Sequence, residues 1–230
     1  MRYLTVLLIV FLSTQLSSAQ INEFGIFVGG SNFIGDVGAT NYIAPNNVAF
    51  GAIYKWNRSP RHSYRVSLMY TQLEANDSDS DDPSRQIRGF GFTNDLLELS
   101  AGMEFTFLPF DLHGGDFVST PYLYTGISVA KHDNFFFNGQ GEFTPANTSS
   151  FAYGIPMVLG YKAAISTDFI LALEIGARYT FSDELDGSLP DFQGADSSLS
   201  FGNINNNDWY VFTGITLTYT FGRNPCFCPQ

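Results

Sequence analysis

The stretch Asp208–Phe221, DWYVFTGITLTYTF, alternates without a break. Trp209, Val211, Thr213, Ile215, Leu217, Tyr219 and Phe221 make one row. Tyr210, Phe212, Gly214, Thr216, Thr218 and Thr220 make the other. Successive side chains of a strand point to opposite faces, so this is a strand with one apolar face and one mostly small or polar face. What covers the apolar face decides the fold. Were it a second layer of protein, the chain would be a soluble barrel with a ligand cavity. Were it lipid, the chain would be a membrane barrel.

Seven further segments alternate in the same way: Glu23–Ile34, Asn47–Trp56, Tyr64–Leu73, Asp95–Phe107, Pro121–Ala130, Tyr153–Ala163 and Asp168–Phe181. Their lengths suit strands that cross a bilayer at a tilt. One row collects Phe24, Ile26, Val28, Leu97, Leu99, Leu159 and Ile175 among others, and none of its members is charged, though Leu171 is set apart from it. The opposite row holds Gly, Ser and Thr together with Glu23, Lys55, Arg65, Glu98, Glu104, Lys162, Glu174 and Arg178. Four of these are acidic and four basic, a balance that allows pairing inside a closed interior. A Lys or Arg on the lipid face costs about 2–4 kcal/mol at midplane, so the uncharged row is the lipid row. Aromatic residues near the strand ends, such as Tyr54, Trp56, Phe107, Tyr179 and Trp209, suit headgroup depth. The expected fold is all-β, an eight-stranded antiparallel transmembrane barrel of the outer-membrane, OmpA-like type.

Composition agrees. Charged residues make up 14% of the 230, aromatic residues 16%, and the net charge is −11. A chain so poor in Lys and Arg is no candidate for nucleic acid. Residues 1–19 read as a signal peptide: Arg2, an apolar run from Leu4 to Leu12, and the small residues Ser17, Ser18 and Ala19. Residues 20–221 form the barrel and 222–230 a tail. The links after odd-numbered strands are long and those after even-numbered strands short, which places both termini in the periplasm.

Chemistry is sparse. No nucleophile elbow or zinc-binding helix motif occurs, and the histidines are His62, His113 and His132. Asp133 beside His132 is the one hint of a hydrolase. The chain is expected to be no enzyme, with no cofactor, no metal and no small-molecule substrate. The run Asp77–Asp82, DSDSDD, is expected as a solvated acidic loop, because it lacks the Gly and Glu of a calcium loop. Cys226 and Cys228 are the only cysteines. An i, i+2 bond is strained, so an intermolecular disulfide with a periplasmic partner competes with a plain exposed tail.

Four stretches carry a resemblance: GGSNFIGDVG (29–38), NYIAPNNVAFGAIYKWNRSPRHSYR (41–65), TPYLYTGI (120–127) and DWYVFTGITLTYTFGRNPCFC (208–228). Together they resemble the PorG-type outer-membrane barrel of the type IX secretion and gliding machinery of Bacteroidota. The resemblance implies a non-catalytic role, anchoring a periplasmic ring of a PorK-type lipoprotein and a PorN-type protein at the outer membrane. An OmpA-like adhesion barrel is the alternative, and a lipid-modifying enzyme a more distant one.

Overall fold

A computed structural model describes residues 21–111, 117–188, 201–203 and 206–222. The expected signal peptide, Met1–Ala19, and His113, Cys226 and Cys228 lie outside the described residues. Eight antiparallel strands close into one barrel: β1 (Ile21–Ile34), β2 (Asn47–Ser59), β3 (His62–Asn76), β4 (Gly91–Thr106), β5 (Ser119–Phe137), β6 (Phe143–Ala164), β7 (Phe169–Thr180) and β8 (Trp209–Phe221). Closure is made by β1 against β8, in register from Asn22 opposite Phe221 to Ile34 opposite Trp209. Each strand therefore has a neighbour on both sides, and no open edge remains around the girth.

Burial follows the sequence alternation. In β3 every residue from His62 to Asn76 is alternately exposed and buried. The uncharged row points outward: Phe24, Leu99, Leu159 and Ile215 are 54%, 53%, 57% and 48% exposed. The soluble barrel, which needs that row inside, is thereby ruled out. Among the described strand residues, outward ionic side chains occur only toward the two rims: Glu74, Asp95, Lys131 and Asp133 on the long-link side, and Arg58 at a short turn. Outward rings gather at both rims. Trp56 packs on Tyr64 at 5.5 Å and Phe169 on Tyr219 at 5.4 Å near the short turns, and Tyr179 on Trp209 at 4.9 Å near the long links.

Three local expectations are corrected. Leu171 keeps the outward row, and its neighbour Ile170 is the one turned inward. Val211 belongs to the outward row by parity but is buried. The β1–β2 link folds back over the girth there, held by the Asn32 side chain, which donates to the Asn41 carbonyl at 2.9 Å and accepts from the Ala44 N–H at 3.4 Å. Finally, β5 and β6 run well past Ala130 and Tyr153, to Phe137 and from Phe143, as a hairpin standing above the barrel wall.

Candidate functional site: a sealed lumen and its cap

All eight ionic residues of the inner row are buried, none more than 4% exposed. Strand alternation sends them inward, and the narrow bore forces them together across it. Arg65 on β3 grips Glu174 on β7 with two bonds, of 2.7 and 3.0 Å. Lys162 on β6 and Lys55 on β2 converge on Glu104 of β4 at 2.7 and 2.8 Å, with Arg65 at 3.8 Å from the same carboxylate. Glu23 is held by Asn57 at 2.7 Å, Thr218 at 3.1 Å and Lys55 at 3.9 Å. Higher in the bore, Arg178 meets Glu98 at 3.2 Å.

The inner row also supplies hydroxyls and rings that sequence pattern does not single out. Tyr122 donates to Glu174 at 2.5 Å and Tyr210 to Glu98 at 2.6 Å. Arg65 lies over the Tyr124 ring at 4.8 Å and Arg178 over Phe212 at 4.5 Å. Glycine makes the room. A Cβ on Gly160 would stand 2.4 Å from the Tyr122 ring. Phe110 folds in from the β4–β5 turn beneath Lys162, 4.6 Å from its ammonium, and covers the short-turn mouth. Paired charges crossed by tyrosines leave no water-filled passage of the kind that wider barrels carry.

The other mouth is covered by a folded cap. Phe33, Leu73, Phe92, Leu96, Phe135, Phe137 and Leu185 form a buried cluster there. Phe90 stacks on Phe137 at 4.3 Å, and Phe201 meets Phe90 edge-on at 5.1 Å. Between β3 and β4 a short helix, α1 (Pro83–Arg88), is built by local rules. Asp82 caps its N-terminus through the Ser84 N–H, Pro83 opens its first turn, and Gly89 ends it at φ 70°. Its arginines hold the β1–β2 link: Arg85 donates to the Gly35 and Gly38 carbonyls at 3.0 and 2.8 Å, and Arg88 to the Asp36 carbonyl at 2.7 Å.

The run expected as a solvated acidic loop is therefore divided. Asp79, Asp81 and Asp82 are exposed, but Asp77 is fully buried. It accepts from Arg88 at 2.7 Å, from the Gly38 N–H at 2.9 Å and from the Phe90 N–H at 3.0 Å. A second carboxylate group, missed in the sequence, ties the β7–β8 link to the β1–β2 link. Asp186 accepts from the Asp36 and Val37 N–H groups at 2.8 and 3.1 Å, and Asp208 accepts from the Leu185 N–H at 2.9 Å. Burial raises the Asp186 carboxyl above its ordinary range. Burial, reinforced by the nearby Asp186 charge, raises Asp208 well above it. Among the described residues no three His, Cys, Asp or Glu side chains are arranged to hold a metal ion.

His132 and Asp133 do not form a dyad. Adjacent strand residues face opposite ways: His132 is buried inward, and Asp133 is exposed and accepts from the Ser149 hydroxyl at 2.8 Å. His62 is exposed at the start of β3, beside Ser59 at the end of β2.

A closed cylinder with an apolar girth, ring-lined rims and a charge-paired bore is an eight-stranded outer-membrane β-barrel. The chain belongs to the family described as a domain of unknown function (DUF6089), whose profile matches residues 1–230. Among solved structures it is similar to Ail, the attachment invasion locus protein of Yersinia pestis, crystallised with the heparin analogue sucrose octasulfate. That likeness has 11% identity, covers 88% of this chain and 99% of the other, and has a TM-score of 0.47. Neisserial surface protein A is similar at 12% identity over 89% and 98% of the two chains, TM-score 0.47. OprG from Pseudomonas aeruginosa is similar at 9% identity over 89% and 97%, TM-score 0.41. No curated protein matches. The membrane placement rests on the chain's own girth.

Proposed function

We propose that the protein is a non-catalytic outer-membrane anchor that holds a periplasmic assembly to the membrane within type IX secretion and gliding machinery. The observation that carries this is the sealed bore. With Arg65–Glu174 and Lys162–Glu104 crossing it, the barrel passes no cargo, and its work falls to its two ends. The turn Asn57–His62, the described part of Leu108–Ser119 and the strand ends Ile21 and Phe221 share one end, and short turns belong to the periplasmic side of such barrels, so the reading puts the tail Gly222–Gln230 to work there as well. The choice of machinery rests on the resemblance in the four quoted stretches. Its partners are then a PorK-type lipoprotein and a PorN-type ring protein. This reading assigns at least one of Cys226 and Cys228, which lie outside the described residues, to a disulfide with that ring in the oxidising periplasm.

Deleting Gly222–Gln230 tests the reading. The truncated barrel is expected to keep its heat-modifiable mobility on gels while ring proteins no longer co-purify with it and secretion stops. Retention of both with the tail gone would overturn the anchor role. Non-reducing gels of the native protein test the cysteines: no mass shift against reduced samples ends the disulfide. A second reading, surface binding at the long-link end, is favoured by the cap. A cluster of packed phenylalanines and buried carboxylates is more structure than idle links require.

A further inference from the structure

The sheet is not equally tall all round. The β6–β7 ladder begins at Gly154 opposite Thr180, so Phe143–Ala152 of β6 has no partner on the β7 side among the described residues. The chain leaves the ladder just above. Phe181 N–H still donates to the Tyr153 carbonyl at 2.8 Å, but the next residue is drawn toward β8, its carbonyl accepting from the Asp208 N–H at 3.1 Å. In a strand the N–H and C=O of one residue point the same way and those of the next the opposite way. Since the Tyr153 carbonyl points to β7, the N–H and C=O groups of Phe151 and Ser149 point there too, into space that β7 does not fill. The intervening Ser150 and Ala152 pair with His132 and Ala130 of β5. Higher up, Pro145 and the left-handed Asn147 (φ 55°) interrupt the strand, so the regular edge is Ser149–Tyr153.

This edge is backed by a packed strand. Its partner β5 is pinned from inside by Phe135 and Phe137, both buried in the cap. Phe151 and Tyr153 are each 61% exposed on the outward face. Natural sheets usually blunt such an edge or use it to take another strand. The surroundings are acidic: Asp133 and Glu142 on the hairpin and Glu184 just after β7 are exposed, against Lys131 alone on the hairpin. A second copy of this chain is a poor occupant. Two barrels in one membrane are related by an axis along its normal, so both β6 strands descend and their tilts add, which makes the edges diverge. We propose that Ser149–Tyr153 is a strand-addition site for an extended, basic segment of another protein. The site lies at the end opposite the tail, so it stands or falls apart from the anchor role.

The test uses the full barrel in lipid nanodiscs and a short labelled peptide of alternating Thr and Val with Lys at both ends. Binding is read by fluorescence anisotropy and by amide exchange at Ser149, Phe151 and Tyr153. The peptide is expected to bind and to slow exchange at those amides. Phe151→Pro, which removes an edge N–H without touching the β5 ladder, is expected to weaken binding about tenfold, and Ser149→Pro similarly should the first fail to fold. A peptide ended in Glu, or N-methylated at alternate residues, is expected to bind at least about tenfold less tightly. The proposal is overturned if the Lys-ended peptide does not bind, if both proline variants bind it as the native barrel does, or if the Glu-ended peptide binds as well. It is equally overturned if the three amides are already protected in the free protein, which would mean that residues 189–200 of the same chain fill the edge.

Discussion

Glu104 stands where Lys55, Lys162 and Arg65 converge, and it is wholly buried. A buried ion pair adds little over an apolar equivalent, but removing one partner strands the others out of water, at about 3–5 kcal/mol. Glu104→Gln is therefore expected to cost the barrel about that much, read as a lower urea midpoint for unfolding from vesicles. Glu23→Gln is expected to cost less, because Asn57 and Thr218 share its carboxylate with a more distant Lys55. The ionic residues could be picked out in the sequence because each falls on the same parity as its strand's small residues. Their hydroxyl partners could not. Tyr122 and Tyr210 look like any strand aromatic until the bore brings Glu174 and Glu98 to them from other strands. Asp77 was hidden for the opposite reason: a run of Asp and Ser carries no sign that one member is aimed at Arg88 from below.

Among the elements, the eight strands were legible because lipid outside and a packed bore inside impose a period of two over long stretches. The hairpin of β5 and β6 was not, and the cause is local. Register shifts between Asp133 and Phe135, so inward positions pass from His132 to Phe135 and Phe137, from even to odd numbers. The apolar outward row already stops at Ala130, because Lys131 and Asp133 put charge on its parity, and the shift then hides the continuing strand. The cap was illegible for a further reason: its core is assembled from links that share no periodicity. Its carboxylates make a pH-dependent lock. Asp208 and Asp186 have raised carboxyl pKa values in the folded cap, so the folded form binds more protons than the opened one as pH rises through the ordinary carboxylate range. The contribution of these two carboxyls to cap stability is thus greatest in acid and falls as pH climbs toward the raised values. Amide exchange at Leu185, Asp36 and Val37 is expected to show more frequent opening at neutral pH than near pH ~5, beyond the intrinsic change in exchange rate. Asp208→Asn keeps an acceptor for Leu185 and is expected to flatten that dependence.

For the molecule as a whole, the girth is the feature on which membrane residence depends. Leu99 lies mid-belt, outward, between Leu68 and Val129. Leu99→Arg is expected to destabilise the inserted barrel by about 2–4 kcal/mol, measured by reversible folding into vesicles, whereas Thr125→Val on the same face is expected to be nearly neutral. The bore carries Glu23, Glu98, Glu104 and Glu174 against Lys55, Arg65, Lys162 and Arg178, so the ions buried there cancel, and the excess negative charge of the chain lies outside it.

The seam between β1 and β8 joins the beginning of the strand order to its end. A nascent chain that lacks its last strand has two unsatisfied margins, and hydrocarbon offers nothing to hydrogen-bond them. Insertion must therefore wait for synthesis to finish. No truncated intermediate can reside stably in the bilayer, and the first and last strands must be escorted together until they zip.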